Sequence, residues 1–412
     1  MSLLYHLGIY FYYALLFVLS AFGHQKARLW ITGRQHWRIR MQQKFKDVSS
    51  CVWFHCASLG EYELSVPLIE SLKSKYPDKK ILVTFFSPSG YEAKKNDPLA
   101  FHIDYLPIDS AKNAHTFIDI VKPEIALFAK YDYWFHYLNV LDAKKIPTYV
   151  FSATFRDSQV FFKSYGHWYK QMLFKFTQLF VINEASKALL FKAGIKNTTV
   201  TGDNRYDRVL STAKQNINFP LIEKFKGSDP LLIAGSTWPE DEEVLSRLID
   251  SSLPPLKYII APHEIGEDHI EQLEQKLQRK SIRYSQLHEQ QSTDDITVII
   301  IDNIGMLSSL YKYGNIAYVG GAFKQGLHNI LEPLSFGLPV VFGPQYKKFP
   351  EAFDFIACEG AFSIRDEATL ASTIQQLLAP EKQLRIKQIN TTEIAKHIGA
   401  TEKIMNFISW KD

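Results

Sequence analysis

The chain has 412 residues, of which 46% are hydrophobic and 22% charged, and its formal net charge is +4. At ~150 residues per domain this length predicts two or three domains, and the composition excludes a wholly disordered chain. Three cysteines without a CxxC pair predict a reducing compartment and no disulfide framework. We also expect no metal site, because His263-Glu264 lacks the second histidine of a zinc-binding helix.

The small net charge hides an asymmetry at the N-terminus. Residues 3–23 (LLYHLGIYFYYALLFVLSAFG) carry no charged side chain, whereas residues 24–46 carry seven basic and no acidic ones. About 20 apolar residues suffice to span a bilayer, and a basic flank indicates the cytoplasmic side. The sequence therefore predicts a membrane anchor over residues 1–23 and contact of residues 3–46 with anionic membrane lipids.

Three placements of the apolar segment remain open at this point. It can span the bilayer once, lie in the cytoplasmic leaflet with its tyrosines at the interface, or form a buried core helix. Because the basic residues are confined to one short segment, we expect no nucleic-acid partner.

From residue 51 onward, short apolar runs alternate with helical patterns, which is typical of parallel α/β sheets covered by helices on both faces. The predicted strands are residues 52–55, 81–85, 125–128, 148–151 and 179–182, and in a second series 231–234, 258–260, 298–301, 316–319 and 340–342. The fold class is thus α/β, with two doubly wound, Rossmann-like domains facing a cleft. A polar connector over residues 211–220 predicts domains 24–215 and 216–412.

The first candidate motif is residues 55–61 (HCASLGE), where a strand runs into a turn of small residues. Glu61 comes where the next helix begins, and a helix N-terminus favours an ionised carboxylate. Such a carboxylate suits a general base, but it also suits a simple helix cap. The local pattern leaves both interpretations open.

The second motif, residues 235–243 (GSTWPEDEE), ends a strand and opens an acidic helix. Its hydroxyls and N–H groups suit a phosphate, whereas its acids suit the helix dipole. The third, residues 320–333 (GGAFKQGLHNILEP), follows a strand that ends at Val319. Its glycines let a ligand approach the backbone, and we expect a helix to open near residues 327–329, with Glu332 one turn inside it and able to accept hydrogen bonds from a ribose.

Taken in chain order, these segments resemble the 3-deoxy-D-manno-octulosonic acid (Kdo) transferases of lipopolysaccharide synthesis. The resemblance rests on the apolar anchor and on residues 30–34 (WITGR), 57–61 (ASLGE), 201–207 (TGDNRYD), 235–237 (GST) and 320–333. It implies the GT-B architecture of many glycosyltransferases. It also implies inverting, metal-independent transfer of Kdo from CMP-Kdo to a lipid A precursor at the cytoplasmic face of the inner membrane, without a cofactor.

The resemblance assigns roles to individual residues. Glu61 matches the catalytic acidic residue that deprotonates the acceptor hydroxyl, and Asn329 and Glu332 match the nucleotide-binding block, with Glu332 on the ribose. The expected donor set is Ser236, Thr237, Pro262, His263, Gly321, Asn329 and Glu332. The expected acceptor or phosphate set is Ser58, Gly60, Lys130, Arg156 and Arg205.

Three positions depart from the family pattern. His263 stands where the family commonly has an arginine, Lys130 replaces a carboxylate, and Arg156 is displaced by two residues. Lys130 either binds the Kdo carboxylate or an acceptor phosphate, or is a solvated lysine. The alternatives for function are another GT-B glycosyltransferase or sugar-nucleotide epimerase, and a non-catalytic, membrane-bound sugar-nucleotide sensor.

Overall fold

The structure is a computed structural model that describes residues 2–215, 217–250 and 256–410. The chain divides into two compact units, one made of residues 1–208 and 398–412 and the other of residues 209–397. Asn216, inside the predicted connector, lies outside the described residues.

The first unit is built on a seven-stranded parallel sheet with the strand order β3-β2-β1-β4-β5-β6-β7. Its strands are β1 (Cys51–Cys56), β2 (Ile81–Phe85), β3 (His102–Tyr105), β4 (Pro123–Ala129), β5 (Thr148–Ala153), β6 (Gln178–Val181) and β7 (Thr198–Val200). Its helices are α1 (Ser2–Ala21), α2 (Gln25–Gly33), α3 (Trp37–Lys44), α4 (Leu59–Lys75), α5 (Pro88–Lys94), α6 (Ala111–Val121), α7 (Phe135–Ala143), α8 (His167–Leu173) and α9 (Glu184–Lys192), followed by α10 (Asn204–Lys214), which crosses the unit boundary.

The order of the first sheet reverses beside β1, which pairs with β2 on one side and β4 on the other. All six residues of β1 are buried, as expected for a central parallel strand covered on both faces. Ligands of such sheets bind beyond the carboxyl ends of the strands, next to this reversal. The loops after β1 and β4 are therefore the expected positions of a ligand site in the first unit.

The second unit repeats the architecture with the strand order β10-β11-β9-β8-β12-β13-β14. Its strands are β8 (Leu231–Thr237), β9 (Lys257–Pro262), β10 (Ser281–Arg283), β11 (Val298–Ile300), β12 (Ile316–Val319), β13 (Val340–Phe342) and β14 (Ala361–Ser363). Its helices are α11 (Pro220–Lys226), α12 (Pro239–Asp250), α13 (Glu267–Lys276), α14 (Leu307–Leu310), α15 (Leu331–Ser335), α16 (Pro350–Ala357), α17 (Glu367–Leu377) and α18 (Pro380–His397). The reversal lies beside β8, between β9 and β12.

The predicted α/β class with two parallel sheets is confirmed. Each of the ten predicted strands overlaps an observed strand, and 81–85, 316–319 and 340–342 agree to the residue. One helix start differs from the expectation, because α15 begins at Leu331 and not near residues 327–329. Glu332 therefore lies in the first turn of a five-residue helix.

The apolar N-terminal segment forms helix α1. Among the described helices it is the one that is long and apolar enough to cross a membrane, and none of its central window is buried, so it is not a core helix. One stripe is half-buried against the first unit: Tyr5, His6, Ile9, Tyr13 and Leu16. The Tyr5 hydroxyl donates to Asp109 Oδ2 at 2.5 Å, and the Nε2 atoms of His6 and His136 lie 2.6 Å apart.

The basic segment that follows is divided between folding and solvent. Helices α2 and α3 bury one stripe, which includes Trp30, Trp37 and the guanidinium of Arg34. Arg40 pairs with buried Asp104 at 2.8 Å, and Arg38 donates to the side chain of Asn113. Of the seven basic side chains expected to meet lipid headgroups, four are exposed: Lys26, Arg28, Lys44 and Lys46.

The C-terminal helix α19 (Ala400–Phe407) belongs to the first unit. Its buried Ile404 and Met405 join the core beneath α4. The Asp207 carboxylate caps the helix, accepting hydrogen bonds from the N–H groups of Gly399 at 2.7 Å and Thr401 at 2.6 Å. Asp207 in the TGDNRYD segment thus joins the end of the chain to the first unit.

We predict that Asp207→Ala destabilises the protein by about 1–2 kcal/mol, because it removes a capping carboxylate. Urea unfolding followed by circular dichroism measures the effect. Asn406→Ala, at an exposed position of the same helix, is the control and should change the free energy of unfolding by less than about 0.5 kcal/mol. Equal effects of the two substitutions would contradict the capping role.

Candidate functional site

The first candidate region is the N-terminal end of α4, directly beyond β1. Ser58 is the N-cap residue and Glu61 the third helical residue of a capping box. Glu61 Oε2 accepts hydrogen bonds from the Ser58 backbone N–H at 2.7 Å and from its hydroxyl at 3.0 Å. Among the described residues no hydrogen bond uses Glu61 Oε1, so one oxygen is fixed and the other is open to a ligand.

Gly60 lies beside this carboxylate and is exposed. A Cβ atom on Gly60 would meet only Ser58 Oγ, at 3.9 Å. The fold therefore has no steric need for glycine at this position. Its lack of a side chain leaves the end of the helix accessible to a large substrate.

A second carboxylate, Asp132, approaches Glu61 from the loop after β4. The pKa of Asp132 is raised well above its usual range by burial and by the charge of Glu61. A hydrogen bond from the Ala57 backbone opposes this shift. Asp132 Oδ2 is buried and has no hydrogen-bond partner among the described residues. A carboxyl group whose pKa is raised beside a second carboxyl group is typical of acid–base sites. The sequence contains this residue in KYDYWF, but its approach to Glu61 depends on the fold.

His55, the fifth residue of β1, supports this pair from inside the sheet. Its Nε2 accepts a hydrogen bond from Trp134 Nε1 at 2.9 Å, and its Nδ1 lies 2.8 Å from Thr84 Oγ1. Burial lowers the pKa of His55 to about 3, so the ring is neutral. Asp132 Oδ2 lies 3.4 Å from His55 Nε2, but the lone pair of that nitrogen already binds Trp134.

The predicted basic residues lie at several strand ends of the same sheet. Lys130 follows β4 in a left-handed conformation with φ 58°, and its N–H donates to the Phe151 carbonyl at 2.9 Å. Arg156 follows β5 and is exposed. The Arg205 guanidinium binds the Asp203 carboxylate at 2.8 Å. Arg205 lies in the first turn of α10, and Arg208 of the same helix contacts α4.

The second candidate region lies at the carboxyl ends of β8, β9 and β12. Ser236 has a left-handed backbone with φ 54°, and Thr237 donates from its hydroxyl to Glu242 at 3.0 Å. The N–H of His263 donates to the Thr237 carbonyl at 2.9 Å, directly after Pro262 ends β9. Four of the predicted donor residues, Ser236, Thr237, Pro262 and His263, are thereby brought together.

A buried carboxylate, Asp241, organises the loops of this region. It accepts hydrogen bonds from the N–H groups of Trp238 at 2.9 Å and Gly321 at 2.8 Å, and from the Tyr318 hydroxyl at 2.7 Å. Burial raises its pKa. The N–H groups of Trp238 and Gly321 are therefore occupied by Asp241.

Three aromatic rings, which we call the Trp238 cluster (Trp238, His263 and His328), stack over these loops. The centre of the His263 ring lies 4.7 Å from the ring centre of Trp238 and 4.6 Å from that of His328. Trp238 Nε1 donates to His328 Nε2 at 2.9 Å, and burial lowers the pKa of His328 to about 4. His328 is therefore neutral and carries its proton on Nδ1. Sequence reasoning assigned roles to His263 but to neither Trp238 nor His328.

Asn329 and Glu332 lie at the start of α15, as a pair. Asn329 Nδ2 donates to Glu332 Oε1 at 3.0 Å, and Asn329 Oδ1 accepts from the Leu331 N–H. Asn329 is exposed and follows His328 directly, so the pair borders the Trp238 cluster. Among the described residues, no group of three or more His, Cys, Asp or Glu is placed to hold a metal ion.

Comparison with known proteins finds proteins that are similar to this chain. Residues 35–208 match the family described as 3-deoxy-D-manno-octulosonic-acid transferase (kdotransferase). The 3-deoxy-D-manno-octulosonic acid transferase of Rickettsia bellii is 26% identical over 96% of this chain and 94% of that protein. The enzyme of the same name from Aquifex aeolicus is 27% identical over 84% of this chain and 91% of that protein. The predicted resemblance is confirmed.

A solved structure shows the same fold. The UDP-GlcNAc 2-epimerase from Neisseria meningitidis bound to UDP-GlcNAc covers 86% of this chain and 98% of its own, with a TM-score of 0.60 and 15% sequence identity. At this identity the likeness concerns the fold alone. It agrees with the predicted GT-B architecture of two Rossmann-like units.

Two glycines of the candidate regions should respond differently to alanine. Gly321 has φ +91°, and a Cβ atom there would lie 2.3 Å from the Gly326 carbonyl oxygen. Gly321→Ala should therefore lower the free energy of unfolding by about 1–3 kcal/mol or more. Gly60→Ala should cause no loss and a gain of up to about 1 kcal/mol, since alanine favours the helix. Urea unfolding of both variants tests this, and destabilisation by Gly60→Ala would show a structural need for that glycine.

The neutral state of His328 predicts a pH-dependent stability. An unfolded histidine has a pKa near 6.5, whereas the pKa of His328 in the folded protein is about 4. The stability that neutral His328 contributes is therefore fully present above about pH 6.5. It is lost as the pH falls towards 4. The melting temperature of the wild type should therefore approach that of His328→Gln, which keeps an acceptor for Trp238, as the pH falls from 7 to 4. A constant difference over this range would contradict the assignment.

Proposed function

We propose that this chain, which is similar to Kdo transferases along most of its length, transfers Kdo from CMP-Kdo to a hydroxyl group of a lipid A precursor. The proposal divides the chemistry between the two units. The first unit supplies the base and binds the acceptor, and the second binds the donor nucleotide.

The observation that carries the proposal is the geometry of Glu61. A sugar alcohol is a weak nucleophile, so its proton must leave as the oxygen attacks. Glu61 Oε2 is held by Ser58, which orients the carboxylate while Oε1 stays open. In the proposed step, Oε1 takes the hydroxyl proton and the acceptor oxygen bonds to the anomeric carbon from the face opposite the leaving group. The bond to the CMP phosphate breaks, CMP leaves with the electron pair, and the anomeric centre inverts.

Asp132 gives the first unit a second carboxyl group of different character. Burial and the nearby Glu61 charge raise the pKa of Asp132 well above the usual range, which favours its protonated form. A protonated carboxyl donates a hydrogen bond, so Asp132 can orient a substrate oxygen without repelling it. His55 and Trp134 keep this loop in place by their hydrogen bond.

We assign donor binding in the second unit mainly to side chains, because Asp241 uses two of the loop N–H groups, those of Trp238 and Gly321. We place the phosphate of CMP-Kdo against the Ser236 hydroxyl and the Nδ1–H of His328, which remains a donor while Nε2 binds Trp238. Glu332, oriented by Asn329, accepts from the ribose hydroxyls. These groups meet the charge that develops on the leaving phosphate without a metal ion.

Helix α1 supports a position at the membrane. Its exposed surface carries large apolar side chains such as Leu7, Phe11 and Phe17. Contacts of Tyr5 with Asp109 and of Tyr12 with Trp30 hold more than two turns of the helix along the first unit. We therefore favour a helix that lies in the cytoplasmic leaflet over one that spans the bilayer, since a spanning helix would lose these contacts.

A transfer assay tests the proposal directly. The purified full-length protein receives freshly generated CMP-Kdo and tetra-acylated lipid A precursor in detergent with EDTA, and the products are analysed by mass spectrometry. We expect a mass increase of one or more Kdo units. In this assay Glu61→Gln should lower the rate by about 10²–10⁴-fold, the usual contribution of a general base.

The choice of glutamine separates catalysis from folding, because glutamine also serves at this position of a capping box. Glu61→Gln should keep the free energy of unfolding and the CMP affinity of the wild type. Glu184→Gln, which changes an exposed glutamate in the first turn of α9, is the matched control and should keep full activity. Near-normal turnover by Glu61→Gln would remove Glu61 from the role of base, and no product from the wild type beside a working positive-control enzyme would contradict the proposed reaction.

A further inference from the structure

We propose that an apolar pocket in the first unit holds one acyl chain of the lipid acceptor and thereby positions its sugar at Glu61. The proposal rests on the proposed function. The pocket, which we call the Ile108 pocket, has a volume of about 350 Å³, in the range of small-molecule sites. It lies between α1 and the loops beyond β2, β3 and β4, and the lining residues used here are Ile9, Tyr12, Trp30, Phe86, Ile108 and Trp134.

The walls of the pocket are fixed by buried hydrogen bonds of Arg34. Its guanidinium donates to the backbone carbonyls of Leu106 at 2.9 Å, Trp30 at 3.1 Å and Phe86 at 2.8 Å. It also lies 3.8 Å from the centre of the Trp30 ring. Each of these residues contributes to the lining, so one buried cation ties three separate segments together around the cavity.

The lining offers hydrocarbon contacts and little else. Asp109 is the charged residue among the lining side chains, and its oxygens already accept from the Tyr5 hydroxyl and from the N–H groups of His136 and Tyr137. A sugar or phosphate in the pocket would lose its hydration without replacement hydrogen bonds. A saturated acyl chain has no such cost and is the ligand that fits this surface.

The position of the pocket connects the membrane with the candidate base. One wall is α1, whose opposite surface is exposed and apolar, so a chain can pass from the bilayer along Ile9 and Tyr12. The other wall contains Trp134, which stacks on Phe86 with ring centres 5.0 Å apart. Trp134 donates a hydrogen bond to His55, and the His55 ring lies beside Asp132. The charge of Glu61 in turn raises the pKa of Asp132. An acyl chain seated in the pocket would therefore have its headgroup end on the side of these carboxylates.

We therefore assign the pocket to the acceptor, because a lipid held against Trp134 would have its headgroup at the edge of the sheet that carries Glu61. The two walls can be tested separately. Ile108→Trp fills the pocket from the β3 side, and Ile9→Trp fills it from α1. Ile304→Trp, at a position of the second unit that is 88% exposed, is the matched control.

The first measurement uses a lipid A precursor analogue with a diazirine at the end of one acyl chain. After photolysis of the full-length protein in detergent, we expect cross-links in the peptides that contain Phe86, Ile108 and Trp134. The two filling variants should lose at least about ten-fold in this labelling, and Ile304→Trp should not. Cross-links confined to the exposed surface of α1, or unchanged in both filling variants, would overturn the proposal.

The second measurement compares two acceptors in the transfer assay. Both filling variants should raise KM for the acylated precursor at least about ten-fold and leave kcat/KM for the fully deacylated disaccharide unchanged. An equal loss with both acceptors would overturn the pocket assignment. Labelling of the pocket without any transfer by the wild type would instead contradict the proposed function, and with it the acceptor as the occupant.

Discussion

Burial of both faces of two parallel sheets is the constraint on which the rest of this structure depends. Helices cover each sheet on both sides, so central strands such as β1 and β12 are wholly buried and offer few places for polar chemistry. Reactive side chains are therefore confined to the carboxyl ends of the strands. Glu61 and Asp132 follow two adjacent strands of the first sheet, and Ser236, His263 and Gly321 lie at the carboxyl ends of three adjacent strands of the second.

Backbone strain and buried polar groups concentrate at these same strand ends. Lys130, Ser152 and Ser236 adopt left-handed conformations that cost side-chain-bearing residues about 1–3 kcal/mol each. Specific hydrogen bonds offset part of this cost, such as that between the Ser152 hydroxyl and Asn204 at 2.8 Å. The same rigidity has a chemical consequence in the second unit. Because Asp241 takes two loop N–H groups, the anionic donor of the proposed reaction would depend more on side chains such as those of the Trp238 cluster.

The sequence predicted the inner parts of the fold well and its edges poorly, for a physical reason. Central strands are continuous apolar runs, and every predicted strand lies in one of the two sheets. The four strands that were not predicted are the four edge strands: His102–Tyr105, Thr198–Val200, Ser281–Arg283 and Ala361–Ser363. Each has only three or four residues, and an edge strand needs no continuous apolar run, so no periodicity reveals it. In the candidate site, residues adjacent in sequence such as Ser58 and Glu61 could be paired from their spacing. The approach of Asp132 to Glu61, and the return of α19 to Asp207, depend on contacts between distant segments.

The N-terminal segment shows most clearly how one pattern can serve two purposes. A run of basic residues after an apolar helix predicts lipid contact, and Lys26, Arg28, Lys44 and Lys46 remain exposed for it. Arg34 and Arg40 instead bind carbonyls and a carboxylate inside the first unit, where a guanidinium can satisfy several acceptors in fixed directions. Since α1 is held by Tyr5 and Tyr12 and the next helices by Arg34, the apolar helix is a rigid part of the first unit. A membrane that binds this helix therefore also sets the orientation of the strand ends that carry Glu61. In the proposed transfer to a lipid acceptor, this attachment of the helix to the first unit would convert membrane binding into alignment of the acceptor with Glu61.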